Sequence, residues 1–135
     1  MENKWEKIVH VGSSLPAKPE QYALFVGRWQ PLHDGHKALF NQALDNGKKV
    51  WIAIRDIAPD TKNPWTAEEV LNNISNEYKE LCNQGVVKVS IIPDICSIEF
   101  GRGVGYDIIE HVPPVQIGEI SATKVREQMY KEGKL

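Results

Sequence analysis

Tyr22-Ala-Leu-Phe-Val-Gly-Arg-Trp-Gln-Pro-Leu-His-Asp-Gly-His36 carries an apolar run straight into Gly27, Pro31 and two histidines before a helical pattern begins. Residues 22–26 are continuously apolar, the pattern of a parallel strand covered on both faces. From Gly35 onward Ala38, Leu39, Ala43 and Leu44 recur at helical spacing, and Asn46-Gly47 supplies a stop of the left-handed kind. A strand that runs through such a loop into a helix start presents free backbone N–H groups and a partial positive charge, both favourable to phosphate. Within the loop, Gly27 is expected to let a ligand approach the backbone, Pro31 to stiffen the turn, and Gly35 to leave room beside the main chain.

Outward from this unit the chain alternates strands and helices. Residues 49–54 read as a second buried strand and residues 58–64 as a polar loop. Thr66 with Glu69 forms a capping box for a helix expected to reach about Cys82. Gly85 breaks that pattern, and residues 86–92 form a third strand that ends at Pro93-Asp94. Two further apolar runs, 95–100 and 104–112, flank Gly101-Arg-Gly103 and are expected to be strands around a glycine turn or bulge. After Pro113-Pro114, Ser121 is placed to cap a last helix running to about Lys131, with Gly133 at its end. The alternation predicts an α/β fold: a Rossmann-like doubly wound parallel sheet of about five strands with flanking helices. Residues 1–20, with Gly12-Ser-Ser14, Pro16 and Pro19, read as an N-terminal arm, and residues 21–135 as one domain.

Composition narrows the function. The 135 residues are 41% hydrophobic and carry a net charge of −2, so one compact core is expected. The charge offers no broad basic field for nucleic acid. No apolar run approaches a bilayer span, so no membrane partner is expected. Cys82 and Cys96 are too few for a disulfide framework, and the N-terminal stretch lacks a signal-like apolar core, which fits a reduced cytoplasmic setting.

His33 and His36 sit three residues apart, so helical geometry would place them on one face, able to donate to one group of oxygens. A zinc site would need further ligands, and His10, His111 and the two cysteines show no ligand spacing. No Gly-x-Ser-x-Gly elbow and no Walker loop occur.

Gly27-Arg-Trp-Gln-Pro-Leu-His-Asp-Gly-His36 resembles the Gly-x-(Phe/Trp)-x-Pro-x-His-x-Gly-His motif of the cytidylyltransferase-like nucleotidyltransferases. Ile120-Ser-Ala-Thr-Lys-Val-Arg126 resembles their second motif, Ile-Ser-x-Thr-x-x-Arg. The two motifs, in the family's order, span residues 22 to about 130. The resemblance implies transfer of a nucleoside monophosphate from ATP or CTP to a small phosphorylated metabolite, with release of pyrophosphate. By that resemblance His33, His36 and Arg126 are the catalytic set, with His36 nearest the transferred phosphate. Val26, Gly27, Arg28, Trp29, Gln30, Gly35, Ser121 and Thr123 would hold the nucleotide. Mg2+ would bridge the phosphates, held mostly by substrate and water, and pairing into a homodimer is implied as well.

Arg55-Asp56 follows the second strand at the same sheet edge, and Lys62-Asn-Pro-Trp65 precedes the next helix, so both are candidates for the acceptor. The latter resembles a segment of nicotinamide-mononucleotide adenylyltransferases, whereas the compact size resembles glycerol-3-phosphate cytidylyltransferase. Trp65 as a hydrophobic staple and Lys62 as a solvated charge remain the competing reading. Arg102, within Phe100-Gly-Arg-Gly-Val-Gly-Tyr106, resembles part of nucleotidyltransferase-like domains found beside adenylylsulfate kinase domains. A non-catalytic nucleotide sensor or scaffold of the same fold is the alternative function.

Overall fold

The computed structural model describes residues 20–103, 105–111 and 122–133. Residues 1–19 of the N-terminal arm, Pro113-Pro114 and Ser121 lie outside them. Three strands, β1 (Tyr22–Gly27), β2 (Lys49–Asp56) and β3 (Val87–Pro93), form a parallel sheet in the order β1-β2-β3. Tyr22 pairs with Lys49 and Val50 with Val87, so the strands end together and their C-terminal loops share one edge. Helices α1 (Asp34–Asp45), α2 (Ala67–Glu77), α3 (Lys79–Asn83) and α4 (Ala122–Lys131) complete the described elements.

The core forms because β2 is central and lined on one face by Val50, Ile52 and Ile54, all fully buried. Against them pack Phe40 and Ala43 of α1 and Val70 and Ile74 of α2, as parallel strands require when helices cover them. Phe25 and Tyr78 meet the Phe40 ring edge-on at 5.0 and 6.0 Å. Thr66 caps α2 as expected: its hydroxyl accepts from the Glu69 N–H, and Glu69 Oε1 accepts from the Thr66 N–H. Gly47 and Gly85 turn the chain into β2 and towards β3 at φ +76° and +74°.

Two expectations are corrected. The helix from Thr66 does not run unbroken to Cys82; Tyr78 leaves helical geometry at φ −108°, ψ 25°, dividing α2 from α3 while its ring stays in the core. The sheet has three strands among the described residues, of the about five expected. Residues 95–100 form no strand, nor do 105–111. Pro93 ends β3 and has no N–H for a ladder, and Gly103 and Gly105 sit at positive φ, so the expected glycine turn is present without strands around it. Ile98, Phe100, Ile108 and Ile109 are exposed, so among the described residues no layer covers them. The segment reaches β1 on the side away from β2, where His111 stacks on Phe25 at 5.6 Å and joins Gln42 Oε1 through Nδ1 at 2.8 Å.

The turn after β1 is built on Gly27. A Cβ there would lie 2.8 Å from the Trp29 ring, so the glycine makes room for the indole and not for an open ligand path. Trp29 itself holds φ 53°, the left-handed region that costs a bulky L-residue roughly 1–2 kcal/mol. Burial of the ring and its Nε1–H bond to the Ala53 carbonyl at 3.1 Å offset that cost.

Phe40→Ala should destabilise the fold by about 3–5 kcal/mol in urea denaturation, whereas truncating exposed Leu24 should cost under about 1 kcal/mol. Gly27→Ala should displace the indole, read as a changed near-ultraviolet tryptophan signal with the sheet retained; an unaltered signal would contradict the packing described.

Candidate functional site

The site begins at the start of α1. His33 is the N-cap, and His36 occupies the third helical position of a reciprocal capping box made of two histidines. His33 Nδ1 accepts from the His36 N–H at 3.4 Å, and His36 Nδ1 accepts from the His33 N–H at 3.3 Å. A backbone N–H can only donate, so each Nδ1 must be unprotonated. The proton of each neutral ring therefore sits on Nε2, available to a ligand. The rings stack at 3.6 Å, and Trp29 meets His36 edge-on at 4.8 Å.

Burial lowers the pKa of His33, partly countered by Asp34. His36 is more buried, and desolvation followed by the neighbouring His33 pushes it down to about 4. Both imidazoles thus enter the site as neutral Nε2–H donors at physiological pH.

The second part is the loop after β2. Asp60 Oδ1 accepts from the Lys62 and Asn63 N–H groups at 2.9 and 2.7 Å and from Asn63 Nδ2 at 3.1 Å. These bonds, led by the Asn63 N–H, lower the Asp60 pKa, and Arg28 lowers it further by its charge. Gln30 joins this loop to the histidine loop: Nε2 donates to the Trp65 carbonyl at 2.9 Å, and Oε1 accepts from the Trp65 N–H at 3.1 Å.

The third part is α4, where Arg126 Nη1 donates to the Gln30 carbonyl and Nη2 to Thr123 Oγ1 at 3.4 Å. Tyr130 Oη reaches the Thr61 carbonyl at 3.5 Å. Between the three parts lies a cleft of about 330 Å³, lined by Arg28, Trp29, Gln30 and His36, by Lys62 and Asn63, and by Ala122, Thr123 and Arg126. Its volume is at the small end of ligand sites. Among the described residues three cations line it and no carboxylate does. Among the described residues no group of three His, Cys, Asp or Glu converges as for a metal. The described lining thus includes no carboxylate of the kind protein-held magnesium normally uses.

The structure brings together seven of the residues expected at the site: Arg28, Trp29, Gln30, His36, Lys62, Thr123 and Arg126. His33 joins them through its stack on His36. Gly35 is buried in the first turn of α1, and Val26 is half-buried within β1 beside Ala53. The acceptor candidates divide. Arg55 is engaged by Asp94 at 2.8 Å and by the Ile95 carbonyl at 3.2 Å, away from the cleft lining. Asp56 ends β2 opposite Pro93. Trp65 packs against the core cluster that includes Val70, the arrangement of a hydrophobic staple. Arg102 is exposed in the glycine turn and lines a separate groove with Phe100 and Tyr106. Asn63, within the candidate segment Lys62-Asn-Pro-Trp65 but not singled out there, also lines the cleft. Sequence reasoning missed the capping role of the two histidines.

Residues 24–80 match the family model described as cytidylyltransferase-like, which covers β1, the histidine loop, β2 and α2 but not α4. The nicotinamide-nucleotide adenylyltransferase of Methanocorpusculum labreanum is 27% identical over 133 residues, covering 79% of this chain and 78% of that protein. The nicotinamide/nicotinic acid mononucleotide adenylyltransferase of Acinetobacter baylyi is 39% identical over 62 residues, 42% of this chain and 33% of that protein. No helix among the described residues is long and apolar enough to cross a membrane. The histidine-capped helix and the loop after β2 thus lie within the segment that matches the cytidylyltransferase-like model, and the chain is similar at low identity to two nicotinamide-type nucleotide adenylyltransferases.

Proposed function

We propose that the chain is a nucleotidyltransferase that moves a nucleoside monophosphate from ATP or CTP to a small phosphorylated metabolite. The observation that carries this reading is the convergence of His36, Arg28, Lys62, Thr123 and Arg126 on one cleft at the C-terminal edge of the sheet. Both named relatives are adenylyltransferases of nicotinamide-type mononucleotides, which favours ATP as donor and such a mononucleotide as acceptor.

In the reaction a phosphomonoester oxygen attacks the α-phosphorus. A new P–O bond forms as the bond to the β-phosphate oxygen breaks, and pyrophosphate leaves with that electron pair. The monoester is largely dianionic near neutrality, with a second pKa of about 6, so no strong base is needed. Catalysis then rests on alignment and on stabilising charge at nonbridging and leaving oxygens. His36 Nε2–H would donate to the α-phosphate, with His33 beside it. Thr123 and Arg126 would hold the departing phosphates, Arg28 would supply further positive charge, and Lys62 would meet the phosphate of the acceptor. Ser121 belongs to the same motif and lies outside the described residues. Magnesium would enter with the triphosphate, coordinated by its oxygens and water, and would neutralise part of its charge.

Incubation with each nucleoside triphosphate and a panel of phosphomonoesters, nicotinamide mononucleotide included, should release pyrophosphate with ATP. Tight triphosphate binding without release for any acceptor would instead support a sensor, and neither binding nor release would refute both readings. His36→Ala should lower kcat by roughly a hundredfold or more, because a donor aimed at transition-state charge is removed. Wild-type turnover in that variant would remove His36 from the catalytic set.

The His36 pKa also sets an acid limit. Folding lowers it from 6.5 to about 4, so within that window the unfolded chain binds more protons. Stability contributed by neutral His36 is complete above pH 6.5 and is lost as pH falls towards 4. Melting temperatures across this range should fall more steeply for the wild type than for His36→Ala; parallel slopes would contradict the assigned protonation state.

A further inference from the structure

We propose that Gln30 is a positioning residue that holds the loop containing Lys62 and Asn63 in register with the histidine loop, and so couples the acceptor side of the cleft to its phosphate side. The inference rests on the transferase reading and assigns a task to a residue that reading uses only as part of the lining. Gln30 is 4% exposed, so its amide is committed to protein partners. Both of its polar atoms meet the main chain of Trp65, at 2.9 and 3.1 Å, forming a closed pair across 35 positions of sequence. Trp65 directly precedes Thr66, the cap of α2, and follows Lys62 and Asn63, which line the cleft. A fixed Trp65 therefore fixes the base of the loop. The main-chain carbonyl of Gln30 separately accepts from Arg126, so a side-chain substitution leaves that link to α4 in place.

This separation makes the proposal testable. Gln30→Met keeps the bulk of the side chain and removes both hydrogen bonds, leaving the Trp65 N–H and carbonyl without their partners. Hydrogen exchange on the ligand-free protein should show the Trp65 amide accelerating by at least about tenfold, while the Ile52 and Ile54 amides of β2 keep their protection. In steady-state assays with ATP and nicotinamide mononucleotide, KM for the mononucleotide should rise roughly tenfold, several times more than any rise in the ATP Kd. Unchanged Trp65 exchange, or equal weakening towards both substrates, would overturn the proposal. If the wild type releases no pyrophosphate with any acceptor, the transferase reading fails alone, and the exchange result still decides whether Gln30 holds the loop. Should β2 lose protection in Gln30→Met, Gln30→Asn keeps the amide and the charge of the cleft but is one methylene too short to hold both main-chain groups of Trp65. It should then raise the mononucleotide KM more than it weakens ATP, and equal weakening of both would again overturn the proposal.

Discussion

The site depends on Trp29 folding back over Gly27. The indole occupies the space a Cβ would take, and its N–H is anchored on the Ala53 carbonyl of the neighbouring strand. That bond ties the loop leaving β1 to β2, so the turn cannot be moved without disturbing the sheet. Because the turn is held there, His33 arrives as the cap of α1, and His36 follows on its first turn against the same indole. A strained backbone angle at Trp29 is thereby maintained by burial, as is common where a loop must present groups in one arrangement.

The electrostatics of the cleft follow from this packing. Arg28, Lys62 and Arg126 already bring three positive charges to a small volume. Charged histidines beside them would add repulsion in the free protein, and burial keeps His36 neutral instead. Capping fixes which ring nitrogen carries the proton, so the same bonds that start the helix also set the donors. Long-range positive charge and short-range neutral donors are therefore separate components. The first attracts an anion and the second is directional.

The parallel α/β arrangement was legible because local pattern and tertiary environment agree in β1, α1, β2 and β3. Val50, Ile52 and Ile54 read as a buried strand, and they are one. The turn from β1 into α1 was legible because Gly27, Pro31 and Gly35 mark it within an otherwise apolar strand and a helical pattern. The reason for Gly27 was not legible, since it lies in the path of a ring two residues on. Residues 95–111 misled for a different reason. β-branched and aromatic residues favour a strand only where a neighbour supplies hydrogen bonds and a covering layer, and neither can be read from the run itself. Arg55 likewise sits at the expected edge, yet its partner Asp94 comes from the end of another strand, so only the register of β2 on β3 reveals the pairing.

The last constraint concerns α4, which has no fully buried residue to hold it by apolar packing. Its described attachments are polar and fall on the segments that line the cleft: Arg126 on the Gln30 carbonyl and Tyr130 on the Thr61 carbonyl. The first joins positions 96 residues apart, although the entropic cost of closing a long loop rises only slowly with length. A helix held in this way is sensitive to whatever else occupies the cleft. An anion touching both His36 and Arg126 would add bonds between α1 and α4, and anything that strengthens that bridge must by linkage be bound more tightly when the bridge is formed. If the cleft takes such an anion, α4 is therefore the described element whose position would depend most on it.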